Sequence, residues 1–225
     1  MCGRYHLNST PSEVGNMFDV DIRDNFPPRY NVAPSQPIAS IRMSDAGKRE
    51  YALMRWGFIP SWAKKDYHER MGSKPLINAR GETVAEKPTF RSAFKRRRCL
   101  IPADGFYEWK AGADGKQPFR ISRGGLFGFA GIWETATDPD GGEIDTAAII
   151  TIAAGQDVKG LHHREPVVIE PEHFDDWLTA DERDTEMFSD LIAPAAKGTW
   201  EHYPVTKKVG SPRNDGPDLI EEISL

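Results

Sequence analysis

Residues 99–109 read CLIPADGFYEW, and this stretch decides the fold class. It contains two short runs of apolar and aromatic residues, Cys99–Ile101 and Phe106–Trp109, on either side of a Pro-Ala-Asp-Gly segment. Short runs of this kind, bounded by Pro and by Asp-Gly turns, are typical of β-strands. The stretch therefore predicts two strands and the turn between them.

Similar runs occur along most of the chain, which makes strands the main element. The other predicted strands are Ile38–Met43, Tyr51–Trp56, Phe119–Ser122, Leu126–Trp133, Ala147–Ala153 and Pro166–Ile169. Between Phe26 and Gln36, closely spaced prolines predict an extended, irregular chain instead.

Helical signals are fewer. Thr10-Pro11-Ser12-Glu13 has the pattern of a capping box with proline at the first helical position, which predicts a short helix through Phe18. Three more helices are predicted at Lys87–Arg97, Pro171–Leu178 and Asp181–Ala193. Because strands predominate and no βαβ alternation occurs, the predicted class is α+β, a single domain with a β-rich, barrel-like curled sheet core and peripheral helices.

The 225 residues fit one domain, which we place at residues 1–216 with a short C-terminal tail at 217–225. The chain is loop-like from about Ser211 onward, and we expect a loose tail there. The formal net charge of −5 argues against a protein that coats nucleic acid by charge alone, but it leaves room for a local basic groove.

The composition also sets expectations about compartment and cofactors. Cys2 and Cys99 are the only cysteines, the first twenty residues lack an apolar signal region, and no stretch approaches a membrane span. We expect a cytoplasmic monomer without a membrane anchor. The adjacent His162 and His163 would point to opposite faces of a strand, and no CxxC or HxxxH spacing occurs, so neither a metal nor another cofactor is expected.

Cys2 is the first of four unusual polar positions. A small second residue allows an aminopeptidase to remove Met1, which would leave the thiol and a free α-amine on adjacent carbons of Cys2. Their unperturbed pKa values of about 8.5 and about 7.7–8.0 give both groups a nucleophilic fraction near neutral pH. An ordinary small residue at the chain start is an equally good interpretation of this position alone.

The second position lies in PLINARGE, residues 75–82. Asn78 and Arg80 share one side if the segment is extended, and they combine hydrogen-bonding groups with a fork suited to phosphate or carboxylate. For such a tripeptide by itself, a turn asparagine with a surface salt bridge from Arg80 to Glu82 is the more common arrangement.

The remaining two positions are candidate acid–base groups. Glu108 lies between aromatic residues, on the same strand face as Phe106, which predicts a raised pKa; a carboxylate on the solvent face is the alternative. His162 precedes an apolar strand and titrates near neutral pH, so it can shuttle a proton.

Aromatic and basic residues suggest contacts with nucleic acid. In the segment WGFIPSW, Trp56 is expected in the core and Trp62 on the surface beside Lys64 and Lys65, where it can stack on a base. The basic run 95–98 is better explained by the favourable position of cations at a helix C-terminus.

Six motifs in this order resemble the SRAP family, the SOS-response-associated peptidases. The resemblance runs from Cys2 to about Gly216, and its motifs are MCGR (1–4), YNVAP (30–34), WGFIP (56–60), INARGE (77–82), GFYEW (105–109) and HHREP (162–166). It implies a compact β-rich domain that crosslinks covalently to abasic sites in single-stranded DNA. It also implies roles for seven residues: Cys2 as the crosslinking residue, Asn78, Glu108 and His162 as its active-site companions, and Arg4, Trp62 and Arg80 as DNA contacts.

Two positions depart from the family pattern. Ala63 follows Trp62 where many relatives have a second aromatic residue, so a stacking wedge would be weaker here. Glu165 stands before Pro166 where many relatives have an apolar or basic residue.

The chemistry implied by the resemblance is consistent with these residue types. The α-amine of Cys2 would form an imine with the open-chain aldehyde of an abasic site, and the thiol would then close a five-membered thiazolidine, a ring closure favoured by proximity. His162 would protonate the sugar ring oxygen, Glu108 would move protons at the amine, and Asn78 would hold the amine or the sugar. The adduct would shield the lesion during the DNA damage response, near the nucleoid when DNA is damaged.

The peptidase in the family name is interpreted as removal of Met1, and a lyase-type activity is a further expectation. Two other classes stay open on the sequence. One is a glutamine amidotransferase, which also uses an N-terminal cysteine, and the other is a non-covalent module that binds modified DNA.

Overall fold

The computed structural model describes residues 2–63, 75–112, 115–137, 141–179, 188 and 190–225. Thirteen strands lie in these ranges: β1 Tyr5–Leu7, β2 Arg29–Val32, β3 Pro37–Met43, β4 Arg49–Trp56, β5 Asn78–Arg80, β6 Arg98–Ala103, β7 Gly105–Gly112, β8 Gly115–Ser122, β9 Phe127–Thr137, β10 Glu143–Ala153, β11 Arg164–Pro166, β12 Val168–Ile169 and β13 Glu201–Pro204.

Five of the strands form a closed ring. The ring has the strand order β10, β4, β3, β6, β9, and it closes because β9 also pairs with β10. The edges of β10 also carry the short strands β5 and β11, while β12 pairs with β9. Closure removes the unpaired edges of the sheet, and it confirms the barrel-like core predicted from the sequence.

A second sheet of five strands has the order β13, β8, β7, β1, β2. Its central part joins the chain start to the Glu108 strand, since Tyr5 of β1 pairs with Phe106 of β7. β7 and β8 form a long hairpin in which Glu108 lies opposite Phe119. The stretch 99–109 therefore connects the two sheets, because β6 belongs to the barrel and β7 to the second sheet.

The helices are short and peripheral, as predicted. α1, Pro11–Phe18, begins at the predicted capping box, where Thr10 N donates to Glu13 Oε2 at 2.6 Å. α2, Arg91–Arg96, begins later than predicted because Pro88 disfavours the helical conformation of the residue before it. The basic run ends α2, and the Arg98 guanidinium donates to the carbonyls of Phe94 and Lys95 there.

The predicted helix at Pro171–Leu178 is present as a 3₁₀ turn, Pro171–His173, followed by α3, Phe174–Thr179. The one predicted at Asp181–Ala193 lies largely outside the described residues. Two further 3₁₀ turns, Lys207–Gly210 and Pro217–Ile220, lie near the C-terminus. No helix in the described ranges is long and apolar enough to cross a membrane.

The strand prediction is wrong at two places. The proline-rich segment contains β2, because Arg29 and Val32 pair with β1 despite the flanking prolines. The single strand predicted at Pro166–Ile169 is two strands, since Val167 N donates to Ile150 O of β10 while Val167 O accepts from Ala130 N of β9.

The main core fills the barrel, with Trp56, Phe129 and Trp177 fully buried or nearly so. A smaller apolar cluster lies on the other side of β7 and contains Tyr107, Val205, Val209 and Leu219.

The smaller cluster corrects the expectation of a loose tail. Leu219 is buried, Ile223 N donates to Pro204 O at 3.0 Å, and Tyr203 Oη donates to Ile220 O at 2.7 Å. The tail has little regular structure, but its apolar side chains and backbone are bound to the domain.

Candidate active site

Cys2 is held close to β7 by the pairing of β1 with β7. Cys2 is fully buried, and the chain from residue 2 leads directly into β1. The pairing of β1 with β7 continues to Arg4, whose carbonyl accepts from Tyr107 N at 2.9 Å. Because Tyr107 precedes Glu108, this pairing brings Cys2 to the Glu108 region of the sheet.

Asn78 reaches Cys2 from the barrel side. β5 pairs in parallel with β10, with Asn78 opposite Ile149, and Asn78 Nδ2 donates to Cys2 O at 2.8 Å. Asn78 Oδ1 is buried and accepts no hydrogen bond from any described residue. The side chain therefore binds the Cys2 backbone through its donor and keeps an acceptor for another group.

Glu108 is a buried carboxylate, as its aromatic neighbours predict. The residue is 4% exposed, on a strand whose Phe106 lies in the main core and whose Tyr107 lies in the smaller cluster. Burial raises the Glu108 pKa, and the charge of a protonated His163 partly opposes that rise. The raised pKa allows Glu108 to hold and release a proton at a higher pH than an exposed glutamate.

His162 lies next to Glu108, with 3.7 Å between Nδ1 and Glu108 Oε1. Arg164 N donates to the same Nδ1 at 3.0 Å, so neutral His162 carries its proton on Nε2. Arg164 O lies 3.1 Å from Nδ1 and can accept a hydrogen bond from Nδ1–H once the ring is charged. Burial lowers the His162 pKa, which favours the neutral ring at pH 7.

The surroundings of Cys2 favour the protonated form of its thiol. Burial raises the pKa of Cys2, the negative charge of Glu108 raises it further, and a hydrogen bond from the Arg4 backbone lowers it. The thiol is therefore protonated at neutral pH in this environment. Cys2, Asn78, Glu108 and His162 thus form one cluster, in which a carboxylate and an imidazole lie beside the chain start.

The three predicted DNA contacts are placed differently. Arg80 is exposed on β5, on the side of Asn78, as expected from strand alternation. Trp62 is 55% exposed and Trp56 fully buried, as expected for these two tryptophans. Arg4 is partly buried, and its Nη1 donates to Asn31 Oδ1 at 2.8 Å and to Val209 O at 2.7 Å. A role of these residues in DNA contact stays a prediction.

Arg164 is a residue that the sequence analysis missed. Its guanidinium binds both carboxylate oxygens of Glu82, at 2.6 and 2.9 Å, and its backbone N–H orients His162. The salt bridge considered between Arg80 and Glu82 is therefore replaced by one between Arg164 and Glu82. Both residues lie within the recognised motifs, but the sequence gives no signal that joins residues 82 positions apart.

Glu165, one of the two departures from the family pattern, is fully buried. Its Oε2 accepts from Gly155 N and its Oε1 from Ala195 N, both at 2.8 Å. This carboxylate thus joins two backbone segments inside the protein. Within the described part of the chain, no group of three or more His, Cys, Asp or Glu side chains could hold a metal ion.

Comparison with known proteins identifies the family. The family model described as SOS response associated peptidase (SRAP) matches residues 1–212. The chain belongs to the SRAP family. The sequence resemblance is thereby confirmed over nearly the whole chain.

Similar proteins support the assignment. The abasic site processing protein YoqW of Bacillus subtilis is 39% identical over 227 residues, covering 98% of this chain and 99% of that protein. The abasic site processing protein YedK of Escherichia coli is 32% identical and covers 99% and 100%.

The chicken abasic site processing protein HMCES is 35% identical over 88% of this chain and 67% of its own length. A crystal structure of a Bacteroides thetaiotaomicron protein has a TM-score of 0.86 at 25% identity, covering 99% of this SRAP chain and 100% of the other.

Proposed function

We propose that this protein processes abasic sites in DNA by crosslinking to them covalently through Cys2, after Met1 has been removed. The observation that carries the proposal is the contact of Asn78 Nδ2 with Cys2 O, which holds the Cys2 backbone in one cluster with Glu108 and His162. The names of the relatives YoqW, YedK and HMCES support abasic-site processing as the activity.

The first bond is formed by nitrogen. With Met1 gone, the α-amine of Cys2 attacks C1′ of the open-chain aldehyde to give a carbinolamine, and loss of water gives an imine. The raised pKa of the thiol fits this order, because a protonated sulfur does not compete with the amine for the aldehyde. A base near the amine is needed to remove a proton, and the Glu108 carboxylate is a suitable group, while Asn78 Oδ1 can accept a hydrogen bond from the amine.

The second bond is formed by sulfur. The thiol adds across the C=N bond, so that sulfur bonds to C1′ and the sulfur proton ends on nitrogen, which closes a thiazolidine ring. Glu108 is well suited to move the protons of both steps, because its raised pKa keeps the acid and the base form accessible. The ring closure is intramolecular and gains from proximity.

His162 is suited to act on the sugar of the abasic site, and Arg80 is suited to bind the DNA strand. The Nε2–H of neutral His162 can donate to the sugar ring oxygen and favour the open aldehyde. Exposed Arg80, with Trp62 and the exposed edge of Arg4, would bind phosphates and bases next to the lesion. A single strand is the substrate that allows C1′ to reach a buried cysteine.

The decisive experiment compares wild type, Cys2→Ala and Cys99→Ala on single-stranded DNA with one abasic site, followed by a denaturing gel. Wild type and Cys99→Ala should give a shifted band and Cys2→Ala none, because Cys99 is equally buried but its nitrogen is held in a peptide bond. A non-covalent module would give no shifted band with any of the three proteins.

Two more arms separate the mechanism from its rivals. An N-terminal tag that cannot be removed turns the amine into an amide and should abolish the band; crosslinking by the tagged protein would mean that the thiol alone suffices. Incubation with glutamine tests an amidotransferase, and ammonia release without any DNA adduct would contradict the proposal.

A further inference from the structure

Asn31 is a buried polar side chain whose amide nitrogen and amide oxygen both have hydrogen-bond partners. The residue is 1% exposed on β2, and its Nδ2 points at three backbone carbonyls of one C-terminal turn. The distances are 3.3 Å to Val209 O, 2.9 Å to Ser211 O and 2.7 Å to Asn214 O. Loss of these partners would lower the stability of the fold, because each lost partner leaves a buried polar group unsatisfied.

Arg4 binds to the same turn and to Asn31 itself. Its Nη1 donates both to Asn31 Oδ1 at 2.8 Å and to Val209 O at 2.7 Å, while Nη2 lies 3.5 Å from Gly210 O at the exposed rim. The buried edge of the guanidinium therefore faces the protein, and only the outer edge is open to a ligand. We call Arg4, Asn31 and the three carbonyls of Val209, Ser211 and Asn214 the clasp.

The clasp is anchored on β2 and β7. Tyr30 N donates to Asp215 Oδ1 at 2.6 Å, and Tyr107 Oη donates to Tyr30 O at 2.7 Å. These bonds connect the C-terminal turn, the strand of Asn31 and the strand of Glu108. The turn is thus fixed to the sheet that holds the chain start.

Arg4 links the clasp to the reacting residue. It lies two residues after Cys2, and its carbonyl accepts from Tyr107 N at 2.9 Å, next to Glu108 on β7. A shift of the Arg4 side chain would therefore be passed along the backbone to Cys2. The distance between the clasp and the nucleophile is only two peptide units.

We propose that Asn31 is a positioning residue for the reaction at Cys2, acting through Arg4, and that the C-terminal turn 209–214 is the part of the chain that holds both in place. The inference rests on the proposed function for its kinetic consequence. It gives Arg4 a role inside the protein that exists whether or not its outer edge also meets DNA.

The test uses two variants of the full chain. Asn31→Asp keeps an oxygen for Arg4 but turns the Nδ2 position into an acceptor that faces three carbonyls. Arg4→Lys keeps the charge but replaces the fork, which contacts two acceptors, by a single ammonium group. Arg213→Ala, an exposed charge change in the same turn, is the matched control.

Three quantities are measured on each folded variant. They are the crosslinking rate at saturating abasic DNA, the DNA concentration for half-maximal rate, and the rate at which iodoacetamide alkylates Cys2, read from the N-terminal peptide by mass spectrometry. Both variants should lower the saturating rate by about tenfold or more, as expected for a misplaced nucleophile, with half-saturation changed by less than about threefold. Both should also change the alkylation rate, and Arg213→Ala should change neither rate.

The double variant adds a coupling test. Because both residues act through one clasp, Asn31→Asp with Arg4→Lys should be little worse than either single variant. Wild-type rates in a folded Arg4→Lys protein, or a loss confined to half-saturation, would overturn the proposal even if Asn31→Asp fails to fold. The alkylation rate keeps the test independent of the proposed function, since it reports the position of Cys2 even if wild type forms no DNA adduct.

Discussion

Glu108 Oε1 lies 3.7 Å from His162 Nδ1, and the two groups have pKa values moved in opposite directions. Burial raises the pKa of Glu108 and lowers that of His162, so both neutral forms are favoured. Pairs of this kind are typical of acid–base chemistry, because each group can change its protonation state near the working pH. The pair gives the proposed reaction one group that holds a proton and one that can donate through Nε2.

The Glu108→Gln variant separates function from stability. It should lower the crosslinking rate by about 10²-fold or more, since general acid–base catalysis is lost. The same variant should raise the Tm at pH 8. The folded-state pKa of Glu108 is raised, so the buried carboxyl group destabilises the protein as it ionises with rising pH, and glutamine does not ionise. At pH 4, where wild-type Glu108 is largely protonated, the Tm difference should narrow. A lower Tm of the variant at pH 8 would contradict the assignment of Glu108 as a desolvated carboxyl group.

Asn78 is predicted to hold the Cys2 backbone, and two variants test this. Asn78→Ala removes the donor to Cys2 O, and Asn78→Asp replaces it with an acceptor that repels that carbonyl. Both should reduce the crosslinking rate by about 10- to 100-fold, since small displacements of reacting groups cost rates of that order. The exposed Asn16→Ala on α1 is the control. Rates are compared on denaturing gels over a time course, and unchanged rates in both variants would remove Asn78 from the site.

The sequence predicts the residues of the candidate site better than it predicts the long-range contacts that hold these residues in place. Cys2, Asn78, Glu108 and His162 lie in recognisable motifs, and their strand alternation follows from local patterns. The contacts of Arg164 with Glu82, and of Asn31 with the turn at Val209, join residues that are far apart in the chain. Local periodicity carries no information about such long-range pairs.

The fold shows the same division. The strand pattern of β6 and β7 predicts a β-rich domain, but closure of the barrel depends on the pairing of β9 with β10 and of β10 with β4, the latter parallel. The short strand β2 lies between prolines and is not predicted from the local sequence, because its stability comes from pairing with β1.

His6 provides a prediction about acid stability. It is fully buried, its Nδ1 lies 2.8 Å from Asn8 Oδ1, and its Nε2 accepts from Arg120 Nε at 3.0 Å, so the ring is neutral. Burial and the neighbouring Arg120 charge lower its pKa to about 3.

Since the unfolded chain binds a proton below about pH 6.5 and the folded chain does not, stability should fall as pH drops from 6.5 toward 3, by up to about 1.4 kcal/mol per pH unit for this group. His6→Gln, which can keep both hydrogen bonds, should flatten the dependence in urea unfolding at pH 7 and pH 4.5. The exposed His202→Gln is the matched control variant.

Gly105 allows β7 to pass close to His6. A Cβ atom at this position would lie 2.4 Å from His6 Nε2 and 2.9 Å from Ile121 O, so Gly105→Ala forces these groups apart. The expected loss is about 1–3 kcal/mol in urea unfolding, the usual cost of overpacking. Gly160→Ala, where no heavy atom lies within 4 Å of the added carbon, should stay within about 0.5 kcal/mol of wild type. Equal effects of the two substitutions would contradict the close approach of His6 to β7.

Glu165 is the last test, because it decides whether a departure from the family pattern concerns DNA or the fold. Its two carboxylate oxygens accept from Gly155 N and Ala195 N, so Glu165→Gln leaves one of these N–H groups facing an amide NH₂. We expect a loss of about 1–3 kcal/mol in urea unfolding, the cost of a buried unsatisfied donor. The exposed Glu221→Gln should have no effect on stability.

Well below the Tm, the crosslinking rate and half-saturation of Glu165→Gln should match wild type, because both oxygens of Glu165 bind backbone N–H groups inside the protein rather than DNA. A normal Tm with weakened DNA binding would instead place Glu165 at the DNA surface.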